Sequence, residues 1–123
     1  MGTIELRGDE ATDWADAVTA YRDLLAVWPG HPAREQLVEA LHEQARVLSK
    51  SDDWEAVLAS GDELVKFDDE DFGAHMLRGD ALYELSRFDE AREAYNRALK
   101  LKPRNKTAKK KRRNAIRKAR SQG

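Results

Sequence analysis

The 123-residue sequence has no cysteine, only three prolines, and no aromatic residue beyond Tyr95. Without cysteine, disulfides, thiolate zinc sites, iron–sulfur clusters and thiol catalysis are all excluded, while the compartment is left undecided. No apolar run approaches the ~18 to 20 residues that span a bilayer, and Met1 to Glu10 lack the basic start and apolar stretch of a secretory signal. A soluble protein is expected, cytoplasmic by default. Phosphate-loop, dinucleotide-binding, serine-hydrolase and zinc-protease signatures are missing. Carboxylates are plentiful but fall at solvent-facing helix and turn positions, a poor setting for acid–base catalysis. The reading is therefore no enzyme and no cofactor.

What the chain has is charge, and the charge is sorted. The totals are 22 Lys+Arg and 23 Asp+Glu, a formal net charge of −1. From Lys100 to Gln122 there are twelve Lys/Arg and no acid, which leaves ten Lys/Arg and all 23 acids in Met1 to Leu99. An acidic body of about −13 thus precedes a basic end of about +12.

The punctuation favours helices. Asp13 is placed to cap a first helix reaching Val27, where Trp28-Pro29-Gly30-His31-Pro32 breaks it and Pro32 suits the first turn of the next. Leu37, Val38, Leu41, Ala45 and Leu48 recur at helical spacing to about Lys50. Ser51-Asp52-Asp53 reads as turn and cap before a third helix from Trp54 to Phe67. The acidic run Asp68 to Asp71 precedes a fourth, about Phe72 to Leu85, and favours its positive N-terminal end. A fifth runs from Asp89 to Leu101, and a basic sixth from Lys106 to Ala119. No stretch alternates as a strand would.

A shift of 34 residues places Trp54 on Phe88, Val57 on Ala91, Leu64 on Ala98, Phe67 on Leu101, Ala45 on Gly79 and Leu48 on Leu82. A weaker copy, Trp14, Ala17, Tyr21, Leu24 and Val27, follows the same spacing, but Trp14 and Trp54 are 40 apart, so about six extra residues enter around Pro29 to Gln36. An ordinary helical bundle could use the same alanines but has no reason to repeat them at a fixed period.

Over residues 72–105 the sequence resembles the tetratricopeptide repeat family, whose unit is a helix–turn–helix of about 34 residues. Gly79, Ala81, Leu82, Tyr83, the run Phe88-Asp89-Glu90-Ala91, Tyr95, Ala98, Leu99, Leu101 and Pro103 carry the likeness. Residues 38–71 match less well, with Val57 and Leu64 where the family usually has alanine. The resemblance implies an all-α fold of antiparallel hairpins stacked as a short right-handed solenoid, closed by a basic C-terminal helix. The expected organisation is a tail at 1–12, repeats over 13–105 (a half repeat at 13–31, then 38–71 and 72–105), and a basic helix and tail at 106–123.

It also implies a non-catalytic interaction module that binds a peptide or partner helix in the groove formed by the first helices of each repeat. His42, Glu43, Arg46 and Lys50, then Met76, Asp80, Tyr83 and Glu84, then Lys110, Asn114 and Arg117 occupy the corresponding stripes. A plain solvated face is the alternative for each. One subgroup of the family clamps C-terminal carboxylates with Lys, Asn and Arg. Lys110 and Asn114 resemble one pair of that clamp, but Glu39, Glu43, Gly73 and Leu77 stand at its other positions, which argues against it.

Nine cations, Lys106, Lys109, Lys110, Lys111, Arg112, Arg113, Arg117, Lys118 and Arg120, form a second candidate surface, for nucleic acid, the ribosome or an acidic protein. A solvated capping helix is the alternative. A third reading is self-association through the unpaired first helix near Trp14 or Trp28. No metal site is expected: Glu39 and His42 have a ligand-like spacing, yet the second such motif of a di-iron bundle is missing. His31 reads as a turn residue and His75 as helix packing.

Overall fold

The computed structural model describes residues 10–122, with side chains from Trp14 onward. Its elements are α1 (Glu10–Val27), α2 (Arg34–Lys50), α3 (Trp54–Phe67), α4 (Phe72–Glu84), α5 (Phe88–Leu101) and α6 (Lys106–Gln122). No strand occurs among the described residues. Each helix packs on the next in the chain, as short turns between antiparallel helices require.

Helix α1 begins at Glu10, so Asp13 lies inside it rather than at its cap. Pro32 likewise precedes α2 instead of entering its first turn. There His31 turns its Nδ1 onto the Ala33 N–H at 2.9 Å, and its ring meets Trp28 edge-on at 5.0 Å. The extra residues before the second repeat are used partly as helix: α2 starts at Arg34, a full turn before the repeat register would start it.

The 34-residue period extends to single hydrogen bonds. Asp52 and Ser86 both adopt left-handed φ, 58° and 62°, at the α2–α3 and α4–α5 turns. Around them Asp53 N bonds Leu48 O at 3.1 Å and Arg87 N bonds Leu82 O at 2.8 Å, so the same αL turn closes both hairpins. Between repeats, Asp71 Oδ1 accepts from Ala74 N at 3.1 Å and Asn105 Oδ1 from Ala108 N at 2.9 Å. These are one N-cap used twice.

The core runs as overlapping clusters along the stack. Val18, Leu37, Ala40, Leu41, Leu64 and Ala74 join α1 through α4, and Ala45, Val57 and Ala81 tie α2 and α3 to α4. Leu82, Ala91, Ala94, Tyr95 and Ala115 join α4, α5 and α6. The alanines permit close backbone approach, and the large residues fill what remains. His75 is buried in this packing, its Nε2 donating to the Asp69 carbonyl at 2.8 Å.

Candidate interaction site between the repeat helices

The first helices of the hairpins, α2, α4 and α6, are linked side by side by polar contacts. His42 on α2 bonds Asp71 Oδ2 at 2.8 Å, the same carboxylate that caps α4. In the next repeat, at different register positions, Asp80 on α4 accepts from Lys111 Nζ on α6 at 2.9 and 3.0 Å through its two oxygens. Asp80 also accepts the Tyr95 hydroxyl from α5 at 2.6 Å. Three helices therefore converge on one carboxylate. Burial, reinforced by the Asp80 charge and by the hydrogen bond donated to it, pushes the Tyr95 phenol well above its ordinary value. Tyr95 stays neutral and a donor at any physiological pH.

Above this junction lies a cavity of about 320 Å³. Trp54 and Tyr83 contribute aromatic wall, Asn114 an amide, and Asp80, Lys111 and Tyr95 the hydrogen-bonded floor, with Glu84 at the side. Lys111 balances Asp80, which leaves Glu84, exposed and without an ion pair among the described residues, as the remaining charged group in the lining. Such a lining suits noncovalent capture of a side chain with both an apolar body and a polar end. Among the described residues no group of three or more His, Asp or Glu is arranged to hold a metal ion, and no helix is long and apolar enough to cross a membrane.

Of the residues anticipated for a groove, Asp80, Tyr83 and Asn114 come together here, with Glu84 beside them. The others lie elsewhere. His42 is engaged with Asp71 and lies against Gly73; Glu43 and Arg46 pair with each other on the surface. Met76 packs against the α4–α5–α6 core. Lys110 is exposed, and Arg117 donates to Asn114 at 2.8 Å. Of the nine cations, Lys111 serves Asp80 and Arg112 donates to Asn96 on α5 at 3.0 Å, while Lys106, Lys109, Lys110, Arg113, Arg117, Lys118 and Arg120 are exposed.

Three lining residues were not anticipated for the groove. Trp54 and Tyr95 read as core from their repeat positions, and Lys111 as one cation among many. The spacing of Lys111 and Asn114, three residues apart, was the available signal that they share a face.

Residues 72–105, covering α4 and α5, match the sequence model of the tetratricopeptide repeat. No curated protein is a significant match to the chain. Among solved structures, the first tetratricopeptide-repeat domain of human RPAP3 superposes with a TM-score of 0.67 at 20% identity, covering 89% of this chain and 82% of that one. The first such domain of Spaghetti (RPAP3), bound to the HSP90 peptide SRMEEVD, gives 0.64 at 20% identity over 86% and 79%. The Arabidopsis OM64 domain gives 0.63 at 23% over 86% and 83%. Residues 72–105 therefore match a tetratricopeptide repeat, and the described chain has the fold of tetratricopeptide-repeat domains.

Proposed function

We propose that the chain is a non-catalytic protein-interaction module that takes a peptide or partner helix into the groove between α4 and α6. The observation that carries this reading is the Asp80 junction: a carboxylate fixed by Tyr95 and Lys111 beneath an open cavity walled by Trp54 and Tyr83. Contact groups held in place before binding lose little freedom on binding, the condition under which a small site gains affinity.

The partner differs in chemistry from the acidic peptide seen on the similar Spaghetti domain. With Glu84 lining the cavity and unpaired among the described residues, an acidic terminus is disfavoured there. A segment offering an apolar or aromatic side chain next to a cation fits Trp54, Tyr83 and Glu84.

Selection from a displayed random-peptide library tests the reading. Selected peptides should carry that pair of groups, and Glu84→Gln or Asn114→Ala should each weaken them about tenfold, the effect of losing one interaction of about 1.4 kcal/mol. Peptides that bind both variants as they bind the parent chain would place recognition on another surface.

A further inference from the structure

Helix α6 presents a second surface, separate from the cavity. Lys106, Lys109, Lys110, Arg113, Arg117 and Arg120 are all exposed and follow one another at helical spacing. At ~1.5 Å rise per residue they form a line about 21 Å long, about three cations to every two turns. The opposite face holds buried Ala108 and Ala115, and Lys111 and Asn114 face the cavity on a third side. Apart from the Arg117 contact with Asn114, these six make no side-chain hydrogen bond or ion pair among the described residues.

The composition of this face selects among polyanions. A protein interface requires an apolar or aromatic centre and is poor in lysine; α6 has no aromatic residue, and its one large apolar side chain, Ile116, is half-buried. Single-stranded nucleic acid requires stacking platforms, which are missing for the same reason. A row of Lys and Arg without them matches phosphates alone, read by charge and spacing. The remainder of the chain, with ten Lys/Arg against 23 acids in Met1 to Leu99, is repelled by phosphate and orients the basic end toward it.

We propose that the outer face of α6 binds the phosphate backbone of duplex nucleic acid, with little sequence preference and independently of the groove. Fluorescence anisotropy of the full chain with a labelled 24-base-pair duplex tests this. Engagement of about four phosphates predicts affinity that falls about 50-fold between 50 and 150 mM salt. Substituting Lys106, Lys109, Arg113 and Arg120 together by Gln should weaken binding at 50 mM at least tenfold and flatten the salt dependence. Circular dichroism should show unchanged helix content. Lys66→Gln with Arg97→Gln, exposed cations on α3 and α5, should leave affinity within about threefold. The proposal is overturned by absence of duplex binding at 50 mM, by binding that survives the four substitutions, or by tighter binding of a single strand. It is equally overturned if poly-glutamate displaces the duplex at equal charge, which would mark the face as a site for acidic proteins.

Discussion

The ring of Tyr95 occupies the space that a β-carbon on Gly79 would require. A carbon built there would lie 2.7 Å from Cδ1 and 2.8 Å from Cζ of that ring. The ring has nowhere to retreat, because it is 2% exposed and its hydroxyl is bonded to Asp80. Gly79→Ala should therefore destabilise the fold by about 2 kcal/mol, overpacking outweighing the roughly 1 kcal/mol that alanine gains over glycine in a helix. At Gly61 the obstacle is Cγ of the partly exposed Arg78 side chain at 2.7 Å, which can move only by giving up its Asp62 bond, a smaller loss than displacing a buried ring, so Gly61→Ala should cost less. Urea unfolding of the two variants checks the order.

The same tyrosine makes stability sensitive to alkali. Its phenol is held protonated in the fold, whereas in the unfolded chain it ionises near pH ~10. Below that pH both states hold the proton and the contribution is complete. Above it only the unfolded chain releases the proton, so stability falls by up to about 1.4 kcal/mol per pH unit. Tyr95→Phe should lower stability at neutral pH by about 1 to 2 kcal/mol through loss of a hydrogen bond to a charged acceptor. It should also remove this part of the alkaline slope, as denaturant titrations between pH 9 and 11 (about one unit either side of the free phenol) would record.

Asp71 and Asn105 are equivalent caps with unequal duties. Both accept a helix N–H, but Asp71 also bonds His42. Asn105→Ala should cost about 1 kcal/mol, as for a lost N-cap. Asp71→Ala should cost more than that, by a fraction of about 1 kcal/mol, since it also removes the bond to the partly exposed His42. Equal losses would mean that the His42 contact adds nothing.

Ser86, with φ 62°, occupies a left-handed position that favours glycine. Ser86→Gly should stabilise by about 0.5 to 1 kcal/mol, seen as a higher urea midpoint with an unchanged slope.

The helices and their phase were legible in the sequence because small and large residues recur at a fixed period. Trp54 and Phe88 begin equivalent helices, and Asp53 was readable as a cap. The first repeat was less legible: Pro32 reads as the first turn of α2, but the helix starts at Arg34 with no side-chain cap hydrogen bond at Ala33 to mark the boundary. At the site, Asp80, Tyr83 and Asn114 were legible because a groove stripe is a periodic property. The roles of Tyr95 and Lys111 were not, because they depend on a carboxylate from another helix reaching them. Composition likewise could not separate Lys111 and Arg112, which bond inward, from the cations that line the outer face of α6.

The groove itself is tested most directly by amide chemical-shift mapping of the full chain titrated with a library-selected peptide. Shifts should centre on Trp54, Asp80, Tyr83, Glu84 and Asn114, together with the indole N–H of Trp54, with little change on the outer face of α6. Shifts centred instead on the exposed faces of α3 and α5, with those residues unmoved, would contradict binding in the groove.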